Sequence, residues 1–195
     1  PDMDTRYNGG TQAWAENLSL LFTFRGIPCL YYGSEVEFKK GELIDKGTLI
    51  SLENSGRAYF GDYLEGTVKA TDFSEYTASG TVADTLASPL SKHLSKVNDI
   101  RRAIPALQKG QYTASNTYVT GGDMSYVRRY TDDNTDSLAL VSISSGATFK
   151  NIPNGKYVDA VTGDVKYVTD GTLTVPELAK ANMRVYVCCA SGFTG

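Results

Sequence analysis

The 195-residue chain is 41% hydrophobic and 21% charged, with a formal net charge of −3. That is an ordinary globular composition, long enough for one domain or two small ones. The acidic balance, without any basic block, argues against a nucleic-acid partner. No apolar run approaches the ~20 residues of a membrane span.

The chain opens at Pro1-Asp2-Met3-Asp4 with neither an initiator Met nor a signal-peptide pattern, as a truncated or processed form would. Residues 1–10 read as a polar loop broken by Asn8-Gly9-Gly10. Thr11 is then a helix N-cap, and Trp14, Leu18, Leu21 and Phe22 form an amphipathic stripe. Asn17-Leu18-Ser19 matches a glycosylation acceptor but lies mid-helix, which discounts it. Gly26 stops the helix and opens a continuous apolar run, Ile27 to Tyr32. Such a run suits a strand buried on both faces, as in a parallel sheet covered by helices. Pro28 fits only near the first residue of that strand, and Cys29 within it is a small apolar filler. Gly33 ends the run and Glu35 follows. In an α/β barrel, a polar residue just past a strand's C-terminal end lies on the active-site face.

Residues 34–88 form a long segment of weak periodicity, punctuated by Gly41, Gly47, Gly56, Gly61, Gly66 and Gly80. Long irregular loops inside compact domains are usually functional. Aromatic residues concentrate in Tyr59-Phe60-Gly61-Asp62-Tyr63, with Phe73 and Tyr76 beyond. Aromatic faces stack on sugar rings, and a neighbouring carboxylate accepts hydrogen bonds from sugar hydroxyls. The competing reading is that these rings only pack the loop onto its scaffold. Residues 89–109 return to helical order, with Pro89 in the first turn after Ser88. Leu90, Leu94, Val97, Ile100, Ile104 and Leu107 form one face; Pro105 interrupts the end of the pattern and Gly110 closes it. His93, the one histidine, reads as a surface or rim residue.

From Gln111 the periodicity changes to alternation. Strands are expected at 124–130, 137–143, 156–161, 165–168, 173–175 and 183–189. Turns fall at Asp132-Asp133-Asn134, Ser145-Gly146, Asn154-Gly155, Thr162-Gly163-Asp164 and Asp170-Gly171. Short strands at this spacing predict an antiparallel sandwich. Cys188 and Cys189 would alternate faces of the last strand, and a pairing of either with Cys29 stays open. Three Cys and one His make no metal-ligand cluster and no disulfide framework.

Gly26-x-Pro28-x-x-Tyr31-Tyr32-Gly33-x-Glu35 resembles a motif of the alpha-amylase family of glycoside hydrolases. There it forms the eighth barrel strand and the start of the next loop. Arg101-Arg102 with Pro105-Ala106-Leu107 is similar to the end of that family's eighth helix, and the β part takes the place of its domain C. The resemblance implies an α/β plus all-β chain. Residues 1–109 would be the C-terminal portion of a (β/α)8 barrel (helix 7, strand 8, long loop, helix 8), and 110–195 a β-sandwich domain C. It implies a parent enzyme that cleaves α-1,4-glucans (starch, maltooligosaccharides) by retaining double displacement, with two carboxylates flanking the bond. It also implies a secreted or extracellular, bacterial-type enzyme.

A complete barrel needs about 250 residues, and the motifs around the nucleophile and the acid/base are not found here. The isolated chain is therefore expected to be inactive. Asp2 stands near the place of the family's third catalytic carboxylate, but Pro1 stands where that motif has His, so Asp2 reads equally as a loop or capping residue. Glu35, Tyr59, Phe60, Asp62 and Tyr63 are the substrate-binding candidates, with Glu35 suited more to organising its loop than to chemistry. No cofactor or metal is expected in this chain, although calcium could belong to the parent. Expected partners are an α-glucan, the rest of the barrel, and a second copy if apolar surface meant for the barrel is left open. The alternative is a non-catalytic carbohydrate-binding or structural β-sandwich module. The Ile27–Tyr32 run distinguishes the two, since a free module would offer it no parallel neighbours.

Overall fold

The computed structural model describes residues 10–30, 68–71, 75–78 and 87–195. They fall into two compact units: residues 1–15 with 29–95, and residues 16–28 with 96–195.

Helix α1 runs Gly10–Thr23, so Thr11 lies inside it rather than at its cap. Ala13, Leu18 and Phe22 are its buried apolar residues, joined by buried Ser19 and Thr23, while Leu21 is exposed. The buried face is thus rotated from the expected stripe toward smaller residues. A hairpin of β1 (Val68–Thr71) and β2 (Glu75–Ala78) lies in the segment read from sequence as irregular. Its register runs from Val68↔Ala78 to Thr71↔Glu75.

Helix α2 spans Pro89–Ala103. Ser88 caps it, its Oγ accepting from Ser91 N–H at 3.2 Å, and Pro89 fills the first turn, where an N–H would have no helical acceptor. Leu90, Val97 and Ile100 are buried at helical spacing. The helical order expected over 89–109 is interrupted at Pro105 as the sequence implied: Ile104 is extended (φ −115°, ψ 107°), and a short helix α3 (Pro105–Lys109) follows. A residue before proline is pushed out of the helical region by the ring's Cδ, so the break is local in origin.

The strands of the second unit are β3 (Gln111–Thr113), β4 (Val119–Thr120), β5 (Ser125–Thr131), β6 (Asp136–Ile143) and β7 (Ala147–Phe149). They continue with β8 (Gly155–Asp159), β9 (Val165–Val168), β10 (Leu173–Val175) and β11 (Met183–Cys188). They form a six-stranded sheet ordered β3-β5-β6-β11-β8-β9 and a three-stranded sheet ordered β10-β7-β4. Every ladder is antiparallel. The two sheets face each other across one core. Val119, Phe149, Leu173 and Val175 from the small sheet meet Val127, Leu138, Leu140, Tyr157 and Tyr186 from the large one. This is the expected antiparallel sandwich. The last strand, β11, sits inside the sheet between β6 and β8, so the chain's ends of β structure are interleaved rather than sequential.

β6 is buried along seven of its eight residues because both its faces are covered. Leu138 and Leu140 point into the sandwich core. On the helix side, Ser137 Oγ accepts from Ala106 N–H of α3 at 3.1 Å. Arg128, 1% exposed, belongs to β5.

Ile27–Leu30 is not a strand, which corrects the reading of this run as buried on both faces. Ile27 is 94% exposed and Cys29 is exposed. A central strand exists only where neighbours take its N–H and C=O groups. The described residues supply no parallel ladder, and Pro28 brings no N–H of its own. Tyr31, Tyr32 and Gly33 lie outside the described residues.

Candidate functional site

The sequence-derived candidates Asp2, Glu35, Tyr59, Phe60, Asp62 and Tyr63 all lie outside the described residues. What the structure does describe is the approach to the Gly26–Glu35 motif, at the C-terminal end of α1.

Four carbonyls at and beyond that end accept from two guanidinium groups. Arg101 of α2 donates Nη1–H to Phe22 O (2.9 Å) and Phe24 O (3.4 Å), and Nη2–H to Gly26 O (2.6 Å). Arg128 of β5 donates to Thr23 O (2.8 Å) and to Gly110 O (2.9 Å). The Thr23 hydroxyl donates to Ser19 O at 2.6 Å and meets the Tyr126 hydroxyl at 2.6 Å. Phe24 packs edge-on to Tyr112 and Tyr126, with ring centroids 4.7 and 5.7 Å away. Gly26 turns the chain at φ +95°, a left-handed conformation suited to glycine.

The electrostatics follow from burial. Desolvation lowers the pKa of both arginines, and for Arg128 the neighbouring Arg101 lowers it further while Tyr126 raises it. Guanidinium is basic enough to stay charged regardless. Burial raises the pKa of Tyr126 well above the ordinary phenol range, so its hydroxyl stays protonated. His93 is half-buried on α2, where Nε2 donates to Ala15 O at 2.9 Å. Burial lowers its pKa, and the bond to Ala15 O opposes that shift.

Two further places are concave or polar. A groove of about 490 Å³ lies beside α2, lined by Ile100 and Ile104 and, from the sheet, by Val158 and Val187. Lys96 reaches to Val161 O at 2.7 Å, and Asp99 stands at the lining. Cys189 is the remaining polar-capable side chain of an otherwise apolar lining. At the β8–β9 turn, fully buried Asp159 accepts from Val161 N–H, Thr162 N–H, the Thr162 hydroxyl and Val185 N–H, and Arg184 Nε is 3.6 Å away. With its oxygens so occupied, Asp159 organises a turn. All three cysteines are free, so the Cys29 pairing left open by the sequence is not formed. Among the described residues no three His, Cys, Asp or Glu side chains converge as metal ligands. No described helix is long and apolar enough to cross a membrane.

Arg128 was legible as an oddity: in the alternating run Tyr126-Val127-Arg128 it shares a face with a large aromatic. Arg101 entered only through the family resemblance, and nothing near it in sequence shows what it binds.

Searched against protein-family models, the chain matches none. It is 30% identical over 166 residues to an alpha-amylase of Streptomyces lividans, covering 85% of this chain and 17% of that protein. It is 22% identical over 200 residues to a cyclomaltodextrin glucanotransferase of Thermoanaerobacterium thermosulfurigenes, covering 95% of this chain and 23% of that protein. Both of these relatives are alpha-amylase family enzymes, matched over only part of their length. Solved structures agree on the fold. An Anoxybacillus alpha-amylase superposes with a TM-score of 0.54 at 18% identity, over 90% of this chain and 32% of that one. AmyP in complex with maltotriose does so at 0.50 and 19%, over 91% of this chain and 34% of that one. The chain thus spans about a fifth of the curated alpha-amylase family relatives and a third of the solved ones, as a C-terminal segment of such an enzyme would.

Proposed function

We propose that this chain supplies the closing part of the barrel and the β domain of a retaining glycoside hydrolase that acts on α-1,4-glucans. The observation that carries the reading is that an alpha-amylase and a cyclomaltodextrin glucanotransferase each match along 85% or more of the chain. In this reading residues 1–109 belong to the barrel and 110–195 form domain C. Glu35 orders the loop after the eighth strand, and Tyr59, Phe60, Asp62 and Tyr63 stack on and hydrogen-bond the sugar. Asp2 is the weakest candidate for a catalytic carboxylate. The nucleophile and the acid/base come from elsewhere in the enzyme, as does any calcium, and the enzyme works outside the cell. The apolar Ile27–Leu30 run is the surface that the remaining barrel strands cover.

The sandwich has a core of its own and exposes the Tyr167 and Tyr118 rings, which favours a second reading as a carbohydrate-binding module. A reducing-sugar assay on soluble starch separates the two. The chain alone is expected to show no turnover, and co-expression with the barrel remainder of an alpha-amylase relative is expected to restore it. No turnover in either case, together with retention on a starch column, would favour the binding module. Turnover by the 195 residues alone, abolished by Asp2→Asn or Glu35→Gln, would overturn the assignment of catalysis to another part of the enzyme.

A further inference from the structure

A helix end leaves its last carbonyls without helical donors, and those carbonyls carry the negative end of the helix dipole. Helices commonly meet this with a basic residue in the last turn or a glycine directly after it. α1 has no basic residue in its last turn, and its nearest glycine, Gly26, comes three residues past Thr23. The donors come from far along the chain instead: Arg101 lies 79 positions beyond Phe22, and Arg128 lies 105 beyond Thr23.

The dependence runs both ways. Arg101 is 8% exposed and Arg128 1% exposed, and neither is paired with a carboxylate among the described residues. A buried cation needs compensation, and here the compensation is the carbonyl end of α1 together with Gly110 O. The side-chain geometry is specific to arginine. Arg101 spans three carbonyls with two nitrogens, a reach that the point charge of a lysine cannot reproduce.

We propose that Arg101 of α2 and Arg128 of the sandwich form a two-guanidinium clamp that terminates α1 and holds residues Phe22–Gly26. The order of this junction is then set by α2 and the β domain together rather than by local sequence. The β domain, through Arg128, is in turn a partner of the helix. The inference concerns the chain's own order and does not rest on the glucan reading.

The test is amide hydrogen exchange on the full chain. Arg101→Lys keeps the charge and the stem but loses the fork. Exchange at Phe22, Thr23 and Phe24 is expected to rise at least tenfold, while β6 and β11 stay within twofold of wild type. Tyr126→Phe removes the hydroxyl at Thr23 but keeps both guanidiniums, and the same amides should stay within threefold. A fluorophore on exposed Cys29, in a Cys189→Ser background, should lose anisotropy in Arg101→Lys and keep it in Tyr126→Phe. Unchanged exchange at 22–24 in Arg101→Lys would overturn the clamp. So would an equal rise across β6 and β11, because the arginine would then serve the whole unit. An effect of Tyr126→Phe as large as that of Arg101→Lys would also overturn it, by assigning the junction to general packing.

Discussion

Asp159 gives the sharpest quantitative test of the sandwich. Its carboxylate has no exposed surface and takes four hydrogen bonds, the shortest from the Thr162 hydroxyl at 2.6 Å and from Val185 N–H at 2.7 Å. Asp159→Ala leaves the buried Val185 N–H without an acceptor, a loss of about 1–3 kcal/mol. The Thr162 and Val161 donors are only partly buried and can turn to water, so each adds roughly 0.5 kcal/mol. Arg184 sits at 3.6 Å with its side chain 28% exposed, and such a pair adds about 0–1 kcal/mol. Relief of the buried charge offsets part of the sum. The net expectation is a destabilisation of about 3 kcal/mol, or a fall in melting temperature of roughly 10 °C for a chain of this size. Asp159→Asn keeps one oxygen for Val185 but turns an NH2 group toward Thr162 N–H, and is expected to cost about 2 kcal/mol. Urea unfolding followed by far-UV circular dichroism reads both. A loss below about 1 kcal/mol for Asp159→Ala, or an Asn variant as stable as wild type, would refute the claim that this carboxylate holds the β8–β9 turn to β11.

Two other outcomes are expected of the same unit. Phe149, with no exposed surface and ladders on both sides of its strand, should lose about 3–5 kcal/mol on Phe149→Ala in the same unfolding assay, because both sheets close on its ring. The hydrogen bond from Arg129 holds the Asp136 carboxyl below its usual range, so the unfolded state binds the proton more readily. Its contribution to stability is therefore complete above the ordinary aspartate pKa and is lost as pH falls through the lower folded value. Melting temperatures of wild type and Asp136→Asn should accordingly converge from pH 6 down to pH 2, and a constant gap would contradict the assignment.

Much of the second unit was readable from residue order alone. Alternating side chains must face opposite sides of a strand, and Asp132-Asp133-Asn134, Asn154-Gly155 and Asp170-Gly171 sit where the strands break. The Ser88–Pro89 start of α2 is equally local: one hydroxyl and one ring decide it. The break at Ile104 was also local, and Pro105 marked it in the sequence, since proline disfavours a helical neighbour before it. The candidate site was legible only as a motif, because Glu35 and the Tyr59–Tyr63 cluster are named by type and spacing, and spacing says nothing about what surrounds them.

Other features were set by contacts between distant residues. Alternation does not say which strands pair, so the placement of β11 between β6 and β8, and of β4, β7 and β10 in a second sheet, follows from which apolar faces can close one core. The buried side of α1 was settled by contacts with Arg101, Arg128 and Tyr126, which bury the polar Ser19 and Thr23 beside Leu18 and Phe22 and leave Leu21 exposed. Ile27–Leu30 shows the limit most directly. Its residues have the apolarity of a central strand, but a strand is made by its neighbours' hydrogen bonds, and among the described residues no neighbour lies parallel to it.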